Sequence, residues 1–120
     1  MKSFPAVFLD RDGTLIHEAH YLTDPLQIRL YRDVPRSLAA LRRAGFKLIV
    51  VTNQSGIGRG WVSLELVRKI NGRMQALLKA AARVRLDAIC LCPHAPWESC
   101  GCRKPAPGLI LEARKKFRLD

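Results

Sequence analysis

Two aspartates one residue apart, Asp10 and Asp12, follow the apolar run Ala6-Val7-Phe8-Leu9 and precede Gly13 and Thr14. In extended chain, residues two apart share a face, so both carboxylates can project toward one mouth. Gly13 permits a sharp turn away from it. Ionised and held near a divalent cation, Asp10 can attack phosphorus and form an aspartyl-phosphate. Asp12 can protonate the leaving oxygen and then activate water. Asp and Gly also serve as ordinary turn residues, but Asp-x-Asp-Gly-Thr directly after an apolar strand is specific enough to favour the chemical reading.

Three further groups of residues suit the same chemistry. Thr52-Asn53-Gln54-Ser55-Gly56 ends a second apolar run, and with Gly58 and Gly60 it offers hydroxyl and backbone N–H donors to phosphate oxygens. In Arg103-Lys104-Pro105, a lysine set against phosphate would offset charge on the transferring group. Cys92-x-His94 followed by Cys100-x-Cys102 supplies three thiolates and an imidazole, a closed tetrahedral zinc set. Closed ligation makes the ion structural, and its task would be to fix the 92–104 loop that delivers Arg103 and Lys104. All the cysteines crowd between Cys90 and Cys102, a poor layout for a disulfide scaffold. Cys90 reads as a small buried hydrophobe. His17 and His20 read as exposed loop histidines, with His20 and Tyr21 near enough to the mouth to touch a substrate. Trp61 and Trp97 read as packing.

The elements that must position these groups follow from period and punctuation. Residues 6–9 read as a fully buried parallel strand ending in a loop, Phe46-Lys47-Leu48-Ile49-Val50-Val51 as a second buried strand, and Leu86 to Leu91 as a third strand. Asp33 predicts an N-cap, with Pro35 in the first turn, Val34, Leu38 and Leu41 on one face, and Gly45 as the stop. Ser63 predicts the cap of a helix carrying Leu66, Ile70, Met74, Leu77 and Ala81 as its packing stripe. Pro107 opens a last helix through Leu109, Ala113 and Phe117. Residues 15–32 carry no clean period and read as a long loop. Strands alternating with helices imply an α/β fold, an open parallel sheet with flanking helices. In such sheets ligands bind beyond the carboxyl ends of the strands, where both chemistry loops lie.

Phe8-Leu9-Asp10-Arg11-Asp12-Gly13-Thr14, Val51 to Gly60 and Cys100 to Gly108 together resemble the haloacid-dehalogenase-like superfamily. Within it they are similar to the branch of heptose-bisphosphate and histidinol-phosphate phosphatases. The resemblance implies a Rossmann-like fold with Asp10 as nucleophile, Asp12 as acid/base, Thr52 as phosphate ligand and Lys104 as charge shield. It implies that Asn53, Ser55, Arg59 and Arg103 surround the substrate. Magnesium would be held by the Asp10 carboxylate and the Asp12 carbonyl, and zinc by Cys92, His94, Cys100 and Cys102. Members of the superfamily usually continue into a fourth strand bearing Gly-Asp-x-x-x-Asp, which completes the magnesium site. This chain reaches Arg118-Leu119-Asp120 where that strand should start, so the resemblance implies a C-terminally incomplete domain, weak magnesium binding and an edge at residues 6–9 open to self-association. The favoured activity is hydrolysis of a sugar bisphosphate. Histidinol phosphate as substrate, or a zinc-stabilised phosphate-binding fragment without turnover, are the alternatives.

Composition sets the outer limits. At 120 residues there is room for a single domain over residues 1–120, and 48% hydrophobic residues predict a packed core. No apolar run approaches the ~20 residues that span a bilayer, and the first residues lack the pattern of a signal peptide. A cytoplasmic protein without a membrane partner is the expectation. The formal charge of +11 suits a phosphorylated partner. Its scatter over several segments, without an aromatic-interleaved patch, favours a small phosphorylated metabolite over nucleic acid.

Overall fold

The computed structural model of the chain describes residues 2–18 and 22–120. Strands β1 (Ala6–Leu9), β2 (Lys47–Asn53) and β3 (Ala88–Cys92) form one parallel sheet in the order β1-β2-β3. The helices are α1 (Val34–Arg43), α2 (Ser55–Gly58), α3 (Leu64–Ala82) and α4 (Gly108–Phe117). β2 is the central strand, and its aliphatic, β-branched run is covered on both faces. Leu48 and Val50 enter a core with Leu38 of α1 and Ile70, Met74 and Leu78 of α3. Ile49 and Val51 point the other way, against Leu109 and Ala113 of α4. The period-two alternation of β2 therefore builds two cores, one on each side of the sheet.

The parallel register brings the carboxyl ends of the strands together. Leu9 pairs with Val50, and Asn53 pairs with Cys92. Asp10, the 53–60 loop and the 92–104 loop consequently emerge at one end of the sheet.

Several expectations are refined. Ser63 caps α3, accepting from the Leu66 N–H at 3.0 Å. Asp33 occupies the N-cap position of α1 without a side-chain cap bond, and its carboxylate meets the Arg36 guanidinium at 3.3 Å instead. The buried residues of α3 are Val67, Ile70, Asn71, Met74 and Leu78. Leu66 and Leu77 are half-buried beside them and Ala81 is exposed, so the packing face is rotated from the expected stripe. β3 begins at Ala88, later than the run from Leu86 suggested. The Gln75 side chain has already bound the Leu86 main chain, accepting from its N–H at 2.9 Å and donating to its carbonyl at 3.0 Å.

Within the span 15–32, described residues 15–18 and 22–32 hold more order than a loop. The His17 N–H donates to the Arg29 carbonyl at 2.8 Å, and Ile16 bridges Leu30. A 3-10 turn at Pro25–Gln27 is capped by Asp24. Leu15, Ile16 and Ile28 are buried in the α1/α3 core. Their irregular spacing serves a folded arm rather than a helix or strand, which is why no period announces it. His17 is exposed; His20 and Tyr21 lie outside the described residues.

β1 is an edge strand, as expected, and each of its residues is half-buried rather than fully buried as the apolar run suggested, because β1 lies at the end of the strand order. Just before it, Phe4 bridges in parallel to Leu119, with the Phe4 N–H on the Arg118 carbonyl and the Asp120 N–H on the Phe4 carbonyl, both at 2.9 Å. Among the described residues, no helix is long and apolar enough to cross a membrane.

Candidate active site

Asp10 leaves the end of β1 with its carboxylate half-exposed. Its Oδ1 accepts from the Arg11 N–H at 2.8 Å and lies 3.2 Å from Lys104 Nζ. The lysine comes from the far loop, and Asn53 at the end of β2 secures it. The Asn53 side chain accepts from the Lys104 N–H at 2.9 Å and donates to the Lys104 carbonyl at 3.2 Å. An amide that pairs both ways with one residue's main chain fixes position without contributing charge. Both amide atoms of Asn53, expected beside the substrate, are thus engaged with the lysine's backbone.

Gly13 turns the chain with φ +78°, in the left-handed region that glycine enters without a Cβ penalty. The Gly13 N–H then donates to the Ile16 carbonyl at 2.9 Å, while the N–H groups of Leu15 and Ile16 return to the Arg11 carbonyl at 3.0 and 3.2 Å. This tight turn leaves Asp12 facing a cavity of about 220 Å³ lined by Arg11, Asp12, Asn53, Gln54, Ser55 and Gly56, among others. Asp12 is not free within it. Arg11 Nε lies 2.9 Å from Asp12 Oδ1, Arg11 Nη2 lies 3.3 Å from Oδ2, and Arg11 Nη1 donates to Asn71 Oδ1 of α3 at 3.0 Å. Thr52 is buried, its hydroxyl accepting from Gln54 Nε2 at 2.9 Å.

The expected residues are therefore gathered at one end of the sheet, in distinct settings. Asp12, Asn53 and Ser55 line the cavity, Asp10 pairs with Lys104, and Thr52 lies buried beneath Gln54. Arg59 stacks instead on two indoles, with Cζ 4.8 Å from the Trp61 ring and 5.1 Å from the Trp97 ring. Among the described residues, the buried Arg59 Nε and Arg103 Nη1 have no hydrogen-bond partner. Trp61 and Trp97 are not core packing: both are largely exposed and flank that guanidinium. Gly58 seats the same loop against the next. A Cβ there would fall 2.6 Å from Glu98 Oε1 and 2.8 Å from the Pro93 carbonyl.

Cys92, His94, Cys100 and Cys102 converge with their donor atoms all within 4.8 Å of one another. His94 Nδ1 lies 3.2 Å from Cys102 Sγ and 3.4 Å from Cys92 Sγ, and all the cysteines are free thiols. Burial works against ionisation of Cys100, but the Arg103 backbone N–H and the Cys92 thiol outweigh it and hold the thiol down at about 7. Burial, with hydrogen bonds to Cys92 and Cys100, pushes Cys102 up to about 12. One thiolate beside another is disfavoured until a cation compensates, the usual coupling of a soft metal to a thiol cluster. Three sulfurs and an imidazole nitrogen, closed and partly buried, fit zinc in number and type. Cys90 lies apart on β3, half-buried against α4, and burial pushes its thiol up.

Arg11, Asn71, Gln54, Trp61 and Trp97 carry site geometry that the motifs did not single out. One signal was legible: Asn71 is a polar residue in the buried stripe of an otherwise apolar helix face.

Comparison with known proteins is consistent across sequence and structure. A family model described as polynucleotide kinase 3 phosphatase matches residues 6–120. A Thermoplasma acidophilum protein named "Probable D-glycero-D-manno-heptose-1,7-bisphosphate 7-phosphatase" is 42% identical over 120 residues, covering 99% of this chain and 74% of that protein. The Helicobacter pylori D-glycero-beta-D-manno-heptose-1,7-bisphosphate 7-phosphatase is 36% identical, with coverage of 99% and 69%. A Mesorhizobium loti protein described as HAD-like superposes with a TM-score of 0.91 at 38% identity, covering 98% of this chain and 59% of that one. The D,D-heptose 1,7-bisphosphate phosphatase of B. bronchiseptica, solved with magnesium and phosphate, gives a TM-score of 0.88 at 30% identity, with coverage of 97% and 65%. This chain thus spans about three-fifths to three-quarters of these relatives' lengths.

Proposed function

This chain belongs to the haloacid-dehalogenase-like phosphatases, in the branch of the heptose-1,7-bisphosphate 7-phosphatases, and from that premise we propose that it hydrolyses a sugar-phosphate monoester through an aspartyl-phosphate on Asp10. The observation that carries the reading is the Asp10–Lys104 pair at 3.2 Å, set at the carboxyl end of β1 beside the cavity that Asp12 lines. An Asp10 carboxylate oxygen attacks phosphorus, the ester P–O bond breaks, and its electron pair leaves with the sugar oxygen. That oxygen takes a proton from Asp12. Asp12 then accepts a proton from water, whose oxygen attacks the same phosphorus and frees phosphate and Asp10. Lys104 offsets charge on the phosphoryl oxygens, and the donors of Thr52, Ser55, Arg59 and Arg103 are the candidates for holding the rest of the substrate.

The Asp10 carboxylate and Asp12 carbonyl are hard oxygen donors of the kind magnesium takes, with water filling its octahedron. Bound there, the ion would supply charge neutralisation at the transferring group. Zinc on Cys92, His94, Cys100 and Cys102 would be structural, in a cytoplasmic setting that keeps thiols reduced.

A D-glycero-D-manno-heptose 1,7-bisphosphate is the preferred substrate, because that is the activity in the names of the relatives. The test is phosphate release from heptose bisphosphate, other phosphosugars, histidinol phosphate and a 3′-phosphorylated oligonucleotide, with and without magnesium. Magnesium-dependent release from the sugar bisphosphate supports the reading. Preference for histidinol phosphate or the oligonucleotide end moves the substrate class, the latter being the class in the family model's description. Phosphate binding without release from any of them establishes the non-catalytic alternative.

A further inference from the structure

Arg11 has a setting that its place between two catalytic candidates does not require. Its side chain is 3% exposed, and a guanidinium stays charged under all ordinary conditions. Burying such a charge is unfavourable unless it is paired and hydrogen-bonded. Arg11 meets both requirements through two residues. Its Nε and Nη2 fork onto the two Asp12 oxygens at 2.9 and 3.3 Å, and its Nη1 donates to Asn71 Oδ1 at 3.0 Å. Asn71 is itself 6% exposed, on a helix face otherwise made of Val67, Ile70, Met74 and Leu78. A buried amide there has no packing advantage over an aliphatic side chain, and its bond to Arg11 accounts for its presence. The chain Asn71–Arg11–Asp12 therefore ties the rigid middle of α3 to the acid/base carboxylate. Because the fork contacts both Asp12 oxygens, it fixes the carboxylate plane, while each oxygen keeps a further lone pair.

We infer that Arg11 and Asn71 are positioning residues that hold Asp12 for proton transfer to the leaving oxygen. The inference rests on the reading of Asp12 as acid/base. A purely structural role and a positioning role separate by leaving group. A nitrophenolate departs without a proton, whereas a sugar alkoxide needs one, so misplacing the acid slows only the second.

The experiment measures first-turnover release of the leaving group, under magnesium, from p-nitrophenyl phosphate and from a sugar phosphate, with the full chain. Asn71→Ala keeps a strong helix former in α3 and removes only the acceptor for Arg11. It is expected to slow alkoxide release by about 10- to 100-fold while nitrophenolate release changes by less than about threefold. Arg11→Lys keeps the charge but loses the fork, and is expected to show the same split. Equal slowing of both substrates by folded variants, or no change in either, overturns the positioning role. Absence of turnover by the unsubstituted chain on both substrates overturns the acid/base reading beneath it, and the positioning role with it. The two failures are distinguished by whether the unsubstituted chain turns over.

Discussion

At the scale of single residues, charge and reach divide the labour around Asp10. The nucleophile needs an ionised oxygen facing the mouth, and a neutral amide cannot form the acyl phosphate. Asp10→Asn is therefore expected to abolish phosphate release while thermal unfolding stays close to that of the unsubstituted chain; retention of most of the turnover would sink the mechanism. Lys104 acts through position as much as charge, and Asn53 provides that position with two bonds to its main chain. Asn53→Ala should leave the lysine present but displaced, and a displacement of about 1 Å can cost on the order of 100-fold in rate. The check is kcat for Asn53→Ala against Lys104→Met. If Asn53 acts on substrate alone, its loss will appear in KM with kcat unchanged.

At the scale of elements, two polar devices fix the ends of the central strand. Asp87 bridges the start of β2 to the run into β3: its Oδ2 accepts from the Leu48 N–H and from Arg42 Nη1, both at 2.8 Å. Burial pushes this carboxyl up, but the Arg42 bond and the Leu48 N–H outweigh it and hold it below its ordinary 3.8. A depressed folded-state value contributes stability that is present above the unfolded value and lost as pH falls below it. Urea unfolding should therefore show stability declining below about pH 4, with Asp87→Asn flattening that decline and lowering stability at neutral pH by roughly 1–3 kcal/mol. A variant with the same acid-side slope as the parent would rule Asp87 out. At the other end of β2, the Gln54 N–H donates to the Cys92 carbonyl at 2.8 Å, joining the strand to the thiol-rich loop. Metal analysis of protein purified without added zinc should find about one ion per chain. Chelation should raise hydrogen exchange across residues 92–104 and slow turnover through Lys104. Exchange unchanged by chelation would show that the loop holds itself.

At the scale of the whole molecule, the open sheet edge is the feature with consequences. β1 is apolar throughout and half-buried, and among the described residues it pairs on its β2 side only, with Phe4 just before it bridged to Leu119. Unpaired backbone beside an apolar strand attracts further strands, and only Pro5 precedes this one as a blunting residue. The chain as given is expected to self-associate with rising concentration, and light scattering should record it. A clean monomer at high concentration, with fast amide exchange along residues 6–9, would count against pairing at this edge. A formal charge of +11 opposes association at low salt, so the dependence on salt should be positive.

What the sequence determined by itself was whatever is local or periodic. The aliphatic run of β2 dictated a strand buried on both faces, Ser63 dictated a helix start, and Gly13 dictated a sharp turn just past the first strand. The close spacing of Cys92 with His94, and of Cys100 with Cys102, was legible for the same reason. The tertiary structure decided the pairings between distant segments, because no local period encodes them. Asn71 lies sixty residues from Arg11, and Asn53 lies fifty-one from Lys104. The stacking of Arg59 on Trp61 and Trp97 depends on how two loops meet at Gly58, and the burial of Leu15, Ile16 and Ile28 depends on where such irregularly spaced residues find a core. Chemistry-bearing residue types can be read from a chain, but the contact that orients each of them is a property of the packed sheet, since orientation is fixed by neighbours that only folding brings near.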